Sequence, residues 1–277
     1  MTRGDEPLAQ PDLSSLLASI FDRYGYDLRG YARASLQRRV GAVLARSGLA
    51  TVADLQAKLA AEPAFFGDLL DRLLVHVSAM FRDPSFYRAF RQRVVPMLRT
   101  YARLNIWICG CASGEEAYST AIVLAEEGLL ERAQIYATDL SPRAIERAKA
   151  GIYTRDELDR FAANYGAAGG ALDLARYFTE AYGRVTVREF VRRDILFFQH
   201  DLLGDHVFGE MDVIWCRNVL IYLGREARER AVGKLLESLR PGGFLCLGQS
   251  EQLSRGAREQ IVDVVAEERI FRQGGRA

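Results

Sequence analysis

From Asn105 onward, short apolar runs alternate with helical stretches, and nothing else in the chain constrains its fold as tightly. Ile106-Trp107-Ile108-Cys109 reads as a buried strand, followed by a glycine-rich turn and a helix around Ala117–Glu127. Ile135–Thr138 reads as a second strand, closed by Asp139, and Ser141-Pro142 opens another helix. Later strands fall at Ile195–Gln199, Met211–Cys216 and Phe244–Gly248, with a helix at Arg225–Leu239. This alternation predicts an α/β domain with a doubly wound, largely parallel sheet. Residues 152–194 break the rhythm. They carry a glycine-rich turn and the β-rich Val185-Thr186-Val187, and read as an insertion with a small antiparallel hairpin.

The first hundred residues have a different period. Leu13, Leu16, Leu17, Ile20, Phe21 and Tyr24 recur at helical spacing, as do Leu36, Val40, Val43 and Leu44, with Gly48 as a stop. Val52, Leu55 and Leu59 mark a third helix, and Phe66 to Leu74 a fourth. Asp83-Pro84 reads as an N-cap with proline in the first turn of a long helix through Phe86 and Phe90. The chain therefore divides into a helical domain with its linker helix, 1–98, and an α/β domain, 99–277, the latter interrupted by the inserted 152–194.

Composition excludes several classes. Of 277 residues, 49% are apolar and 26% charged, a globular mix with enough apolar surface for a core. Basic and acidic residues nearly cancel, 37 against 36, so no global field draws the chain to nucleic acid. No apolar run approaches the ~20 residues of a membrane span, and the N-terminus is acidic where a signal peptide needs bases. A cytoplasmic monomer is expected. Cys109, Cys111, Cys216 and Cys246 sit in apolar segments and read as buried thiols, and no Cys/His cluster accompanies them, so no metal is expected.

Topology places the ligand beyond the carboxyl ends of the strands. Four polar groups fall there: the turn Gly110–Gly114, Asp139, Asp201-Leu202 and Arg217-Asn218. The turn is not G-x-G-x-x-G, and Glu115 and Glu116 occupy the helical start where a pyrophosphate needs positive potential. Paired carboxylates suit a cationic cofactor, and S-adenosylmethionine, with its sulfonium and amino group, fits better than a dinucleotide. Asp139 suits a bidentate contact to ribose hydroxyls.

These residues lie in strings that match a family. Tyr31–Arg39, Ser78–Asp83, Trp107–Ser119, Ala137–Asp139 and Cys216–Tyr222 occur in an order that resembles the CheR family of chemotaxis-receptor glutamate methyltransferases. The resemblance runs from about residue 20 to the C-terminus. It implies an all-helical N-terminal domain and a Rossmann-like S-adenosylmethionine-dependent methyltransferase domain with a small inserted β-subdomain. It also implies methyl transfer to glutamate side chains of a methyl-accepting chemoreceptor cytoplasmic domain, giving glutamate methyl esters and S-adenosylhomocysteine. Carried over by position, His76, Ser78, Arg82, Glu116, Asp139, Asp201, Leu202, Arg217 and Asn218 would hold the cofactor. Arg82 and Tyr222 would act at the transferred methyl. Three positions depart from the family pattern: Ser78 stands for threonine, His76 for asparagine, and Asp201 for asparagine. An aspartate there still accepts from an adenine amino group but donates nothing.

A glutamate carboxylate is already ionised near neutral pH, so no general base is needed and alignment dominates. Between Asp27 and Asp54 stand five arginines, Arg29, Arg33, Arg38, Arg39 and Arg46, and no acid. Such a face suits an acidic receptor helix. The insertion lacks the glycine-rich loop associated with a receptor's C-terminal tether, which points to tether-independent recognition. Two other functions stand beside this one: a methyltransferase of a small molecule or RNA, and a non-enzymatic signalling module that keeps the fold.

Overall fold

The computed structural model describes residues 10–75 and 77–274. The chain forms two compact units. One runs to Val75 and takes in Tyr222–Arg230, and the other holds the remainder.

The first unit contains α1 (Gln10–Tyr24), α2 (Arg33–Ser47), α3 (Val52–Ala61) and α4 (Phe65–Leu73). The helical stripes bury as their spacing requires. Leu13, Leu16, Ile20, Leu36, Val40 and Leu55 are all at or near zero exposure. Phe21 is the exception, on the outer side of α1, with the Arg29 guanidinium 4.3 Å over its ring. Gly48 ends α2 in the left-handed conformation, φ 65°, where a side chain would be strained. Thr51 and Asp54 close a capping box at the start of α3. The distant segment joins through backbone bonds. The Ala32 N–H donates to Tyr222 O (2.8 Å), the Gly224 N–H to Gly30 O (2.8 Å), and Tyr31 bridges Leu223.

The second unit is built on a seven-stranded sheet. Its strands are β1 (Leu104–Cys109), β2 (Ala133–Asp139), β6 (Ile195–Gln199), β7 (Met211–Cys216), β8 (Leu239–Leu247), β9 (Ile261–Val265) and β10 (Ile270–Gln273). Their order is β6-β2-β1-β7-β8-β10-β9. β10 runs antiparallel to both neighbours, and the first five strands pair in parallel. All six residues of β7 are buried, as a strand covered on both faces requires. The fold is thus the Rossmann-like α/β class. Four of the expected strands coincide with β1, β2, β6 and β7 to within two residues. β9 and β10 were not read at all. β8 begins at Leu239, five residues earlier than the reading, because a register irregularity between Met211 and Val213 accommodates Pro241-Gly242-Gly243 within the strand.

The insertion is a three-stranded antiparallel sheet, β3 (Ile152–Thr154), β5 (Arg184–Val187) and β4 (Phe178–Ala181) in that spatial order, with a helix Arg155–Ala167. The hairpin between β4 and β5 turns at Tyr182-Gly183, both at positive φ (52° and 71°), the geometry whose twist matches the strands it joins. Tyr177 donates to Glu126 (2.8 Å), Tyr165 donates to the same carboxylate, and Arg91 pairs with Glu126 and Glu127. These bonds fasten the insertion to the helix Glu115–Glu126 and to the linker helix.

The linker helix belongs with the second unit, not with the helical domain as the 1–98 division has it. Phe86, Tyr87, Phe90, Val94 and Leu98 share one core with Leu104 and Ile106. Phe86, Tyr87 and Phe90 all meet the Trp215 ring edge-on within 5.5 Å. Its middle turn, Phe90–Val94, is π-helical, the form that accommodates Pro96, whose missing N–H and ring disrupt the regular ladder. All four cysteines are free and buried. Among the described residues no helix is long and apolar enough to cross a membrane. Both tryptophans, Trp107 and Trp215, lie in the second unit, so their fluorescence reports its unfolding alone. Phe90→Ala is expected to lower the stability read by tryptophan fluorescence in urea by about 3–5 kcal/mol. An unchanged midpoint contradicts the placement of the linker helix in this core.

Candidate functional site

The strand order reverses beside β1. From β1 the sheet grows through β2 to β6 on one side and through β7 to β8 on the other. The crevice at such a switch point opens at the carboxyl ends of β1 and β7. There the turn Gly110–Gly114 leaves β1, with Gly110, Ala112 and Gly114 all at positive φ. A Cβ on Gly110 would meet Val219 Cγ2 at 2.5 Å, and one on Gly114 would meet the Tyr118 ring at 2.9 Å, so neither position admits a side chain.

Asp139 ties this turn to the next. Its Oδ2 accepts from the Ala112 N–H (3.0 Å) and its Oδ1 from the Ser141 N–H (2.9 Å). Both oxygens therefore begin with a structural bond, and a ribose contact would use their remaining lone pairs. His200 donates its backbone N–H to Asp139 O (3.1 Å), which brings the Asp201-Leu202 segment to the same edge. Asp201 spends Oδ1 on the Leu203 N–H (2.8 Å), and Lys234 draws in the Leu203 and Asp205 carbonyls (2.7 and 2.5 Å), so this loop is held from beneath.

Arg217 is the hub. Its side chain is 1% exposed and forks between Glu116 Oε1 (2.6 Å) and Asp83 Oδ2 (2.8 Å), with Arg82 O at 3.4 Å and the Phe86 ring 4.0 Å below. Burial pulls the guanidinium down, but the surrounding groups, Glu116 foremost, outweigh it and hold it above its ordinary value. Asp83 stands at the N-cap with Pro84 in the first turn, as expected, but its side chain does not cap. It adopts φ 57°, makes no capping bond, and gives its carboxylate to Arg217. Phe81 is also at positive φ (53°), so the Ser78–Asp83 segment is a bent strap held by Arg217.

The two glutamates of the helix start differ. Glu116 engages Arg217 with one oxygen, and its other oxygen has no partner among the described residues. Glu115 is 6% exposed, hydrogen-bonds Ser78, and leaves Oε2 buried and unpartnered. Burial pushes its carboxyl up to about 7, with the Ser78 hydroxyl pulling the other way. Four carboxyls, on Asp83, Glu115, Glu116 and Asp139, gather here, and the guanidiniums that act on them are those of Arg82, Arg147 and Arg217. Buried negative charge in excess, with an orphaned carboxylate oxygen, fits a cationic group and opposes a pyrophosphate. The residues present therefore fit S-adenosylmethionine.

Within the second unit Arg217 joins Arg82 and Glu116, Ser78 lies on the strap, Asp139 and Asp201-Leu202 stand at the carboxyl ends of β2 and β6, and Asn218 follows Arg217 after β7. Tyr222 falls in the first unit, half-buried and bonded through its backbone to Ala32. His76 lies outside the described residues. The five arginines do not form one free patch. Arg29 pairs with Asp27 (2.8 Å), Arg33 donates to Ser14 Oγ (3.0 Å), and Arg39 donates to Leu74 O (3.0 Å) and is half-buried. Arg38 and Arg46 are exposed, with no side-chain partner among the described residues. Sequence reasoning missed Asp83's pairing, Lys234 and Glu251. Glu251 follows the end of β8 by four residues, and that position near the strand ends was the signal available.

Fold and site together define the class: a Rossmann-like domain with an acidic cofactor floor, joined to a four-helix domain. Residues 76–269 match the family description "CheR methyltransferase, SAM binding domain", and residues 11–74 match "CheR methyltransferase, all-alpha domain". The chain belongs to the CheR methyltransferase family. It is 43% identical over 263 residues to a Pseudomonas putida protein that carries the name methyltransferase Cher3, covering 95% of this chain and 96% of that one. It is 36% identical over 236 residues to an uncharacterized 104.1 kDa Rhodobacter capsulatus protein, covering 80% of this chain and 23% of that one. It is 30% identical over 231 residues to a chemotaxis protein methyltransferase of Listeria monocytogenes, covering 83% and 85%.

Glu115 gives a pH signature. Its folded-state pKa is raised, so the neutral carboxyl favours folding below about pH 4.5, and that contribution is lost as pH rises through about 7. Without cofactor, wild type should lose on the order of 3 kcal/mol relative to Glu115→Gln between pH 4.5 and 8, measured by urea unfolding. Parallel profiles for the two proteins contradict the burial of this charge.

Proposed function

We propose that the protein transfers a methyl group from S-adenosylmethionine to glutamate side chains on the cytoplasmic helices of a chemoreceptor, yielding γ-methyl esters and S-adenosylhomocysteine. The observation that carries this reading is that the similarity to a chemotaxis protein methyltransferase spans 83% of this chain, together with an acidic floor fitted to a cationic cofactor. When bound, the cofactor supplies an electrophilic methyl group whose carbon–sulfur bond breaks with the electron pair passing to sulfur.

Each residue then has a task. Glu115 and Glu116 offer their unpartnered oxygens to the cofactor's cationic groups. Asp139 accepts from ribose hydroxyls, and Asp201-Leu202 lines the adenine. Arg217 orients Glu116 and opposes the burial that raises its carboxyl, while the backbone at Asn218 borders the cofactor. Ser78 and Arg82 lie on the strap that Arg217 holds. Arg82 guides a carboxylate, and Tyr222 orients the acceptor. No side chain is assigned as a base, because the attacking glutamate is already an anion at neutral pH. Positioning and removal of water carry the rate. Arg38 and Arg46, free on the outer side of α2, meet the acidic receptor helix.

Incubation with methyl-labelled cofactor and candidate receptor cytoplasmic fragments tests the reading. Base-labile label on receptor glutamates is expected. Tyr222→Phe should lower kcat at least tenfold with cofactor affinity kept, and Arg38→Glu with Arg46→Glu should raise KM for the receptor. Label on RNA or a small molecule instead, or cofactor binding without any transfer, overturns it.

A further inference from the structure

The side chain of Glu251 is 2% exposed, yet it makes no ion pair among the described residues. Its compensation is entirely backbone amide. Oε1 accepts from the Val219 N–H (2.8 Å) and the Leu220 N–H (2.7 Å), and Oε2 from the Gly248 N–H (2.5 Å). A buried carboxylate without such donors is costly, and charge-assisted bonds to N–H groups are about twice as strong as neutral ones.

The loop it grips is crowded from both sides. Val219 packs so closely on the β1 turn that Gly110 admits no Cβ. On the other side, a Cβ on Gly248 would meet the Asn218 backbone nitrogen and Nδ2, each at 2.9 Å. Asn218 itself is at φ 60°, a conformation that a non-glycine residue keeps only when its surroundings enforce it. Beyond it, Leu220–Tyr222 forms a single 3-10 turn whose leading N–H groups have no partner within the turn. Glu251 supplies that partner from a distant part of the chain. With its oxygens engaged by three amides, it is not available as an acid, a base or a ligand group.

We propose that Glu251 is a positioning residue that sets the backbone of Asn218–Leu220, and through it the cofactor-facing edge at the carboxyl end of β7. The inference rests on the reading that this edge borders S-adenosylmethionine.

Glu251→Gln is nearly isosteric. Its amide oxygen can keep the Val219 and Leu220 bonds, while its NH2 faces the Gly248 donor. Glu251→Asp withdraws the carboxylate by one methylene and serves if the first variant does not fold. Amide hydrogen exchange is followed on the intact protein in 217–222 and, as an internal standard, in 104–109. Affinity for S-adenosylhomocysteine is followed by calorimetry. Expected are at least tenfold faster exchange in 217–222, unchanged exchange in 104–109, and a Kd raised about tenfold, equivalent to about 1.4 kcal/mol. Unchanged exchange in 217–222, exchange that rises equally in both segments, or a Kd within twofold of wild type overturns the proposal. Failure of the wild type to bind S-adenosylhomocysteine refutes the functional reading instead, and the exchange data still judge the role of Glu251 in the loop.

Discussion

A single buried guanidinium organises the catalytic half of this protein. Arg217 leaves the carboxyl end of β7, at the point where the sheet's strand order reverses, and joins three chain segments that are far apart in sequence. It holds Glu116 at the start of the helix after β1, Asp83 at the end of the strap, and its own strand. A buried arginine is tolerated only when its donors are used and its charge is balanced. Two carboxylates at 2.6 and 2.8 Å balance the charge and take up both terminal nitrogens, while Nε is buried without a partner. The positive φ of Phe81 and Asp83 follows, because the strap must bend to bring a carboxylate and a carbonyl to one guanidinium.

The charge that remains after this pairing gives the site its chemistry. Arg217 satisfies one oxygen of Glu116 and leaves the other. Glu115, one residue earlier, is buried with an orphaned oxygen and a carboxyl raised to about 7. An acidic floor beneath a helix start is the reverse of a phosphate site, where amides and dipole face an anion. Such a floor fits a cationic group. Asp139 and Glu251 do complementary work on the two sides, each a carboxylate that collects backbone N–H groups and so fixes a loop that borders the crevice.

Much of this was legible in the sequence, for reasons that can be traced. The apolar periods of α1 to α4 are local, and so is the alternation that marks β1, β2, β6 and β7. Gly110, Gly114 and Asp139 declare themselves because a turn after a buried strand has few ways to be built. β9 and β10 were hidden because they are short strands, β9 at the sheet edge, whose apolar residues, such as the exposed Val262, do not alternate cleanly. The linker helix was misplaced because periodicity gives a helix's apolar face but not the partner it packs on. Asp83-Pro84 has every local mark of an N-cap, and a tertiary ion pair drew the aspartate side chain away from capping. The arginine run from Arg29 to Arg46 looked uniform because sequence does not reveal that Asp27 neutralises Arg29 or that carbonyls at the end of α4 take up Arg39. Glu251 gave no signal beyond its position after β8, since backbone amides leave no trace in side-chain patterns.

The central claim is that Arg217 and Glu116 are bound to each other energetically and not merely adjacent. A double-mutant cycle on unfolding free energy, with Arg217→Met, Glu116→Gln and the pair, measures this directly. The structure predicts a coupling of about 2 kcal/mol or more, because Arg217→Met strands the buried Glu116 carboxylate, a cost that the double change removes. Single effects that add to within about 0.5 kcal/mol contradict it.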